Sequence, residues 1–154
     1  MPEVRFYHLE RRKLEEALPS LLEEALAQGV KAIVEAPATE LLEALDERLW
    51  TYSDESFLPH GLARDGEPDK QPILLTAGAE NPNGAKWRIL IGGAEALPVL
   101  RATSDVYERL ILLFDGADAE ALAAARAQWA QLKSSGYAPT YWRQDDTGRW
   151  AQAR

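Results

Sequence analysis

The chain has 154 residues, 46% of them hydrophobic, and a net charge of −8 from 17 Lys and Arg against 25 Asp and Glu. That length and apolar content suit one folded domain over residues 1–154 and exclude a disordered chain. There is no cysteine, which excludes disulfides, thiol catalysis and thiolate metal sites, while the acidic balance opposes wholesale binding to nucleic-acid phosphates.

Residues 4–9 (Val4-Arg5-Phe6-Tyr7-His8-Leu9) are β-formers and predict a first strand with no signal-peptide run behind it. Leu14, Leu18, Leu21, Leu22, Ala25 and Leu26 then recur at helical spacing. Pro19 falls inside this pattern, which places the start of the regular helix near Leu18, where a first-turn proline loses no hydrogen bond. Gly29 closes the helix and residues 30–35 predict a short buried strand. Pro37 opens a second helix, with Leu41, Leu42, Leu45 and Leu49 on one face and an end near Trp50.

Residues 51–71 hold Pro59, Gly61, Gly66 and Pro68 and read as one long irregular stretch, a length usually tied to function. Strands follow at 72–76 and 87–91, separated by the turn Asn81-Pro82-Asn83-Gly84. A short helix is expected over 94–100. Residues 107–114 carry the most hydrophobic run of the chain, Leu110 to Phe114, and predict the central strand. The last helix runs from about Asp118 to Ser135 and is closed by Gly136. A final edge strand, 139–144, and a turn over 145–148 complete the pattern. Strands alternating with helices predict a mostly parallel sheet covered on both faces. No stretch approaches the ~18 apolar residues of a membrane span, so a cytoplasmic location is expected.

A phosphate-binding loop needs a glycine-rich turn ending in Gly-Lys-Ser/Thr after a strand. Glu10-Arg11-Arg12-Lys13 has no glycine, and Gly92-Gly93 is followed by Ala94-Glu95-Ala96-Leu97 with no lysine. His8 and His60 have no partner at metal-ligand spacing, and no Gly-x-Ser-x-Gly elbow occurs. Glu15, Glu16, Glu23 and Glu24 lie opposite an apolar helix face and read as solvated. No cofactor is expected.

Two other features stand out. Trp50 ends a helix, with Tyr52, Phe57 and Leu58 close behind it. These residues either fold back over the core or form an exposed apolar patch of the kind that marks partner sites. In the last helix, Ala121, Ala125 and Leu132 line the inward face, with Trp129 at its edge and Arg126 and Lys133 beside it. The two cations either cover Trp129 as a solvated edge or frame a shallow site for an acidic peptide with an apolar tip.

The segments Phe6-Tyr7-His8-Leu9, Leu49-Trp50-Thr51-Tyr52, Ser56-Phe57-Leu58-Pro59-His60-Gly61, Asn81-Pro82-Asn83-Gly84-Ala85, Leu113-Phe114-Asp115-Gly116, Ala125-Arg126-Ala127-Gln128-Trp129 and Thr140-Tyr141-Trp142 occur in an order that resembles the chi subunit of bacterial DNA polymerase III. The resemblance implies a three-layer α/β/α sandwich, like nucleotide hydrolases but without their phosphate loop. It implies a non-catalytic accessory protein of DNA replication that joins a psi-type partner of the clamp loader to the C-terminal tail of single-stranded DNA-binding protein, an acidic segment ending in Pro-Phe. On that resemblance Trp50 and Phe57, with their neighbours Leu58, Pro59 and His60, face psi, while Arg126, Trp129 and Lys133 receive the tail. Relatives commonly carry lysine where this chain has Ala130, which predicts a weaker tail site. The competing classes are a degenerate nucleotide hydrolase and a direct DNA binder.

Overall fold

The computed structural model describes residues 2–10, 12–51, 59–103 and 106–153. In chain order the elements are β1 (Glu3–Leu9), α1 (Leu14–Ala27), β2 (Ala32–Glu35), α2 (Thr39–Thr51), β3 (His60–Leu62), β4 (Ile73–Thr76), β5 (Trp87–Leu90), α3 (Ala96–Thr103), β6 (Arg109–Asp115), α4 (Ala119–Ser134), β7 (Thr140–Gln144) and β8 (Trp150–Ala153). Single 3₁₀ turns, Ala63–Asp65 and Pro68–Lys70, lie between β3 and β4. The eight strands form one sheet in the order β3-β4-β2-β5-β6-β1-β7-β8, parallel throughout except that β8 runs against β7.

Side-chain alternation along the strands splits the core. Tyr7, Leu9, Val34, Leu75, Ile89, Ile111 and Leu113 join Leu18, Leu21 and Leu22 of α1 and Leu42, Leu45 and Leu49 of α2 in one cluster. Val4, Phe6, Leu90, Leu110, Leu112 and Phe114 join Leu97 and Leu100 of α3 and Ala125 and Leu132 of α4 in another. Successive residues of β1 and β6 thus feed opposite clusters, as the two-residue period of a strand requires. β6 is the hinge of this arrangement: it pairs with β5 on one side and β1 on the other, and Leu110 to Phe114 are all buried. Each fully buried leucine or phenylalanine contributes about 1.5–3 kcal/mol.

The structure departs from the expectations in three places. α1 starts at Leu14, not near Leu18, because the N–H groups of Glu16 and Ala17 already donate to the Lys13 carbonyl. Pro19 is therefore interior and buried, and the carbonyl that it leaves without a donor belongs to the exposed Glu15, at the solvent surface of the helix. The stretch after residue 51 is not wholly irregular, since β3 pairs with β4 and forms one edge of the sheet. β7 is not the opposite edge. β8 covers it, with Trp150 stacked on Tyr7 at 4.1 Å and 21°. The turn that makes this hairpin is organised by the Asp145 carboxylate, which accepts from the N–H groups of Thr147 and Arg149.

Two local devices fix α4. The Asp118 carboxylate accepts from the N–H groups of Glu120 and Ala121 at its start. At its end Gly136, at φ +90°, lets Gly136 N–H reach the Lys133 carbonyl and Tyr137 N–H the Leu132 carbonyl, a closure that a side chain at that φ would strain. Between β4 and β5, Asn83 donates to the Gln71 and Ala32 carbonyls, tying the turn to β2.

Candidate functional site

Two surfaces and one crevice carry the residues singled out by sequence. The first surface is at the end of α2. Trp50 is 53% exposed, an unusual state for the largest apolar side chain. His60 of β3 is buried behind it, with ring centroids 4.4 Å apart. His60 Nε2 lies 3.1 Å from the Asp46 carboxylate and 3.2 Å from the Asp46 carbonyl, so its N–H pins α2 to the edge strand. His60 thus supports the indole from below, and Pro59 is half-buried beside it. Phe57 and Leu58 lie outside the described residues.

The second surface is on α4. Gln128 sits on the inward face, its Oε1 accepting from Ala96 N–H and its Nε2 donating to the Ala94 carbonyl, both at 3.0 Å, so that α3 is docked against α4. This docking fixes the rotation of α4 and puts Trp129 half-buried at the rim, edge-on to Phe6 at 5.2 Å and to Tyr141 at 5.8 Å. Lys133 Nζ stands 5.9 Å from the indole centroid. Arg126 is exposed, with no ion-pair partner among the described residues. Leu122, Ala125, Arg126, Trp129 and Tyr141 enclose an apolar depression of about 250 Å³. Arg126, Trp129 and Lys133 are therefore brought together, as their helical spacing requires.

The other wall has no local signal in the sequence. Tyr141 comes from β7 and reaches Trp129 only because β7 pairs with β1. Its hydroxyl meets His8 Nδ1, and burial holds the phenol above its ordinary range. His8 is held below the usual imidazole range, first by burial and then by the Arg143 guanidinium. The aromatic pair Tyr141-Trp142 after Thr140 is visible in sequence, but nothing there links it to residues 8 and 129.

The crevice lies beyond the C-terminal ends of β5 and β6, the place where open α/β sheets bind nucleotides. It holds about 390 Å³ and is lined by Gly92 and Gly93 together with Asp115, Asp118 and Glu120; among the described residues no Lys or Arg lines it. Three carboxylates facing this space repel phosphate.

The fold and these surfaces define a mostly parallel α/β protein with an exposed tryptophan at one place and an aromatic depression edged by cations at another. The family model described as "DNA polymerase III chi subunit, HolC" matches residues 1–140. A "Probable DNA polymerase III subunit chi" of Rickettsia prowazekii (strain Madrid E) is 30% identical over 117 residues, 75% of this chain and 71% of that relative. The chain belongs to the chi subunit family of DNA polymerase III, a family of polymerase accessory subunits. Among the described residues no helix is long and apolar enough to cross a membrane.

Proposed function

We propose that this protein is a non-catalytic, cytoplasmic adaptor of DNA replication, a single domain built as a three-layer α/β/α sandwich on a nucleotide-hydrolase-like plan without the phosphate loop. One surface, around Trp50 with Phe57, Leu58, Pro59 and His60, takes a psi-type partner of the clamp loader. The other, at Arg126, Trp129 and Lys133, takes the acidic C-terminal tail of single-stranded DNA-binding protein. Direct contact with nucleic acid plays no part, in keeping with the net charge of −8.

The observation that carries the reading is the depression between Trp129 and Tyr141, apolar inside and edged by Arg126. A terminal phenylalanine fits the apolar part and contributes about 1.5–3 kcal/mol if fully buried. A carboxylate beside it pairs with the Arg126 guanidinium, best in bidentate geometry. One such contact is weak, but many tails on coated DNA raise the effective concentration and hold the adaptor there.

Calorimetric titration with an acidic peptide ending in Pro-Phe tests this. Arg126→Ala is expected to cost about 1.5–3 kcal/mol, the range of a charge-assisted hydrogen bond. Lys133→Ala costs less, about 0.2–1 kcal/mol, because its ammonium is an exposed point charge. Unchanged affinity in Arg126→Ala overturns the assignment.

A further inference from the structure

The Trp129–Tyr141 wall has a depression on each side. Behind the apolar one is a second, of about 640 Å³, lined by Trp129, Pro139, Thr140, Tyr141, Arg143 and Gln152. We infer that the peptide-binding surface continues past Trp129 into a cationic subsite lined by Tyr141 and Arg143, with His8 behind the Tyr141 hydroxyl, which takes an acidic side chain of the peptide upstream of its apolar end. The inference rests on the peptide-binding reading above and extends it to residues that nothing so far assigns. Tyr141 and Arg143 lie beyond the stretch matched by the family model.

Three observations carry it. The two depressions share the Trp129 and Tyr141 rings, so a chain seated in the first runs on into the second. The Arg143 guanidinium stands 5.7 Å from the Tyr141 ring centroid, and its ion pair, to Glu10 at 3.4 Å, joins two roughly half-exposed side chains. A pair of that kind is worth little and yields readily to an incoming carboxylate. His8 Nδ1 is hydrogen-bonded to the Tyr141 hydroxyl, so imidazole, phenol and guanidinium form one connected group.

The charges facing His8 give the subsite a proton signature. They are Glu10 at the end of β1, Asp115 of β6, Arg143 of β7 and Arg126 of α4. Burial and the two guanidinium groups disfavour protonation, and the two carboxylates oppose them. A peptide carboxylate placed against Arg143 and Arg126 offsets their effect and raises the proton affinity of His8. Binding is then accompanied by proton uptake and tightens as pH falls towards the imidazole range.

The test is calorimetry on the whole protein with two peptides ending in Pro-Phe, one acidic and one with its acidic residues replaced by their amides. Arg143→Gln is expected to weaken the acidic peptide about two- to fivefold and leave the amide peptide unchanged. Glu10→Gln, which frees the guanidinium, is expected to tighten the acidic peptide about twofold. Wild type binds the acidic peptide roughly two- to tenfold tighter at pH near 5.8 than at pH near 7.5, where the peptide's aspartates stay ionised at both values, and His8→Gln abolishes the difference. Loss with Arg126→Ala but not with Arg143→Gln overturns the subsite alone and leaves the depression standing. Equal losses for both peptides in Arg143→Gln also overturn it, because they report disturbed packing. Failure of wild type to bind either peptide overturns both readings.

Discussion

The buried guanidinium of Arg88 gives the sharpest check on the packing that holds these surfaces in place. Arg88 is 0% exposed, in the fourth of eight strand positions across the sheet. Its Nε and Nη2 both donate to Glu35 Oε1, at 2.8 and 2.5 Å, and its other donors reach the carbonyls of Gly78 and Glu80 and the hydroxyl of Tyr107. Glu35 is its one ion-pair partner among the described residues. Glu35→Ala leaves the positive charge buried, a change that typically costs about 3–5 kcal/mol. Two features moderate it: Glu35 is 15% exposed, so water enters, and the more distant Glu80 carboxylate still faces the guanidinium. The expected loss is about 2–4 kcal/mol, seen as a denaturant midpoint shift at constant slope and a fall in Tm of roughly 4–16 °C. Adding Arg88→Met to Glu35→Ala should recover part of the loss, since the unpaired charge goes. A loss below about 1 kcal/mol for Glu35→Ala would refute the view that the buried Arg88 charge depends on this partner.

Further outcomes follow from other features. Asp118→Ala removes the cap of α4 and should cost about 1 kcal/mol of stability while weakening peptide binding little. The Glu80 carboxyl is held below its ordinary range, first by the Thr76 hydroxyl and then by its own backbone N–H; its contribution is present above the unfolded carboxyl range and lost as pH falls through the depressed folded value, so Glu80→Gln should flatten the stability profile below about pH 4.5. Trp50→Ala should weaken binding of the clamp-loader-side partner by about 2 kcal/mol or more and leave Tm nearly unchanged, since the indole is half exposed; Phe57→Ala is expected to act alike, and a large fall in Tm with normal binding would place that ring in the core.

The parts legible in sequence are those whose signal is local. Leu110 to Phe114 announces a central strand because only a strand buried on both faces tolerates five apolar residues in a row. Asp118 and Gly136 mark the ends of α4 through caps that need no tertiary partner. β8 was hidden because Trp150-Ala151-Gln152-Ala153 has little β character of its own; pairing with β7 and the Trp150–Tyr7 stack create it. Pro19 is a poor guide to the start of α1 because the packing of the apolar face from Leu14 onward overrides the local cost of a proline. At the α4 site, helical spacing joined Arg126, Trp129 and Lys133, whereas Tyr141, Arg143 and His8 meet only through the β1–β7 pairing.

That pairing bears on how the chain is made. β1 precedes the other seven strands in the chain, yet it lies sixth of eight across the sheet, between the late strands β6 and β7, with Val4 opposite Leu110 and Phe6 opposite Tyr141. On a ribosome adding about 5–20 residues per second, Phe6 and Tyr7 wait roughly 5–30 s before both neighbours exist. Until then at least one edge of this strand is unpaired, and both are before Asp115 is added; such edges seed aggregation. Fragments that end before Asp115 should therefore be insoluble or chaperone-bound, whereas fragments lacking Met1 to Leu9 lose the middle of the sheet and with it the contact between Trp129 and Phe6.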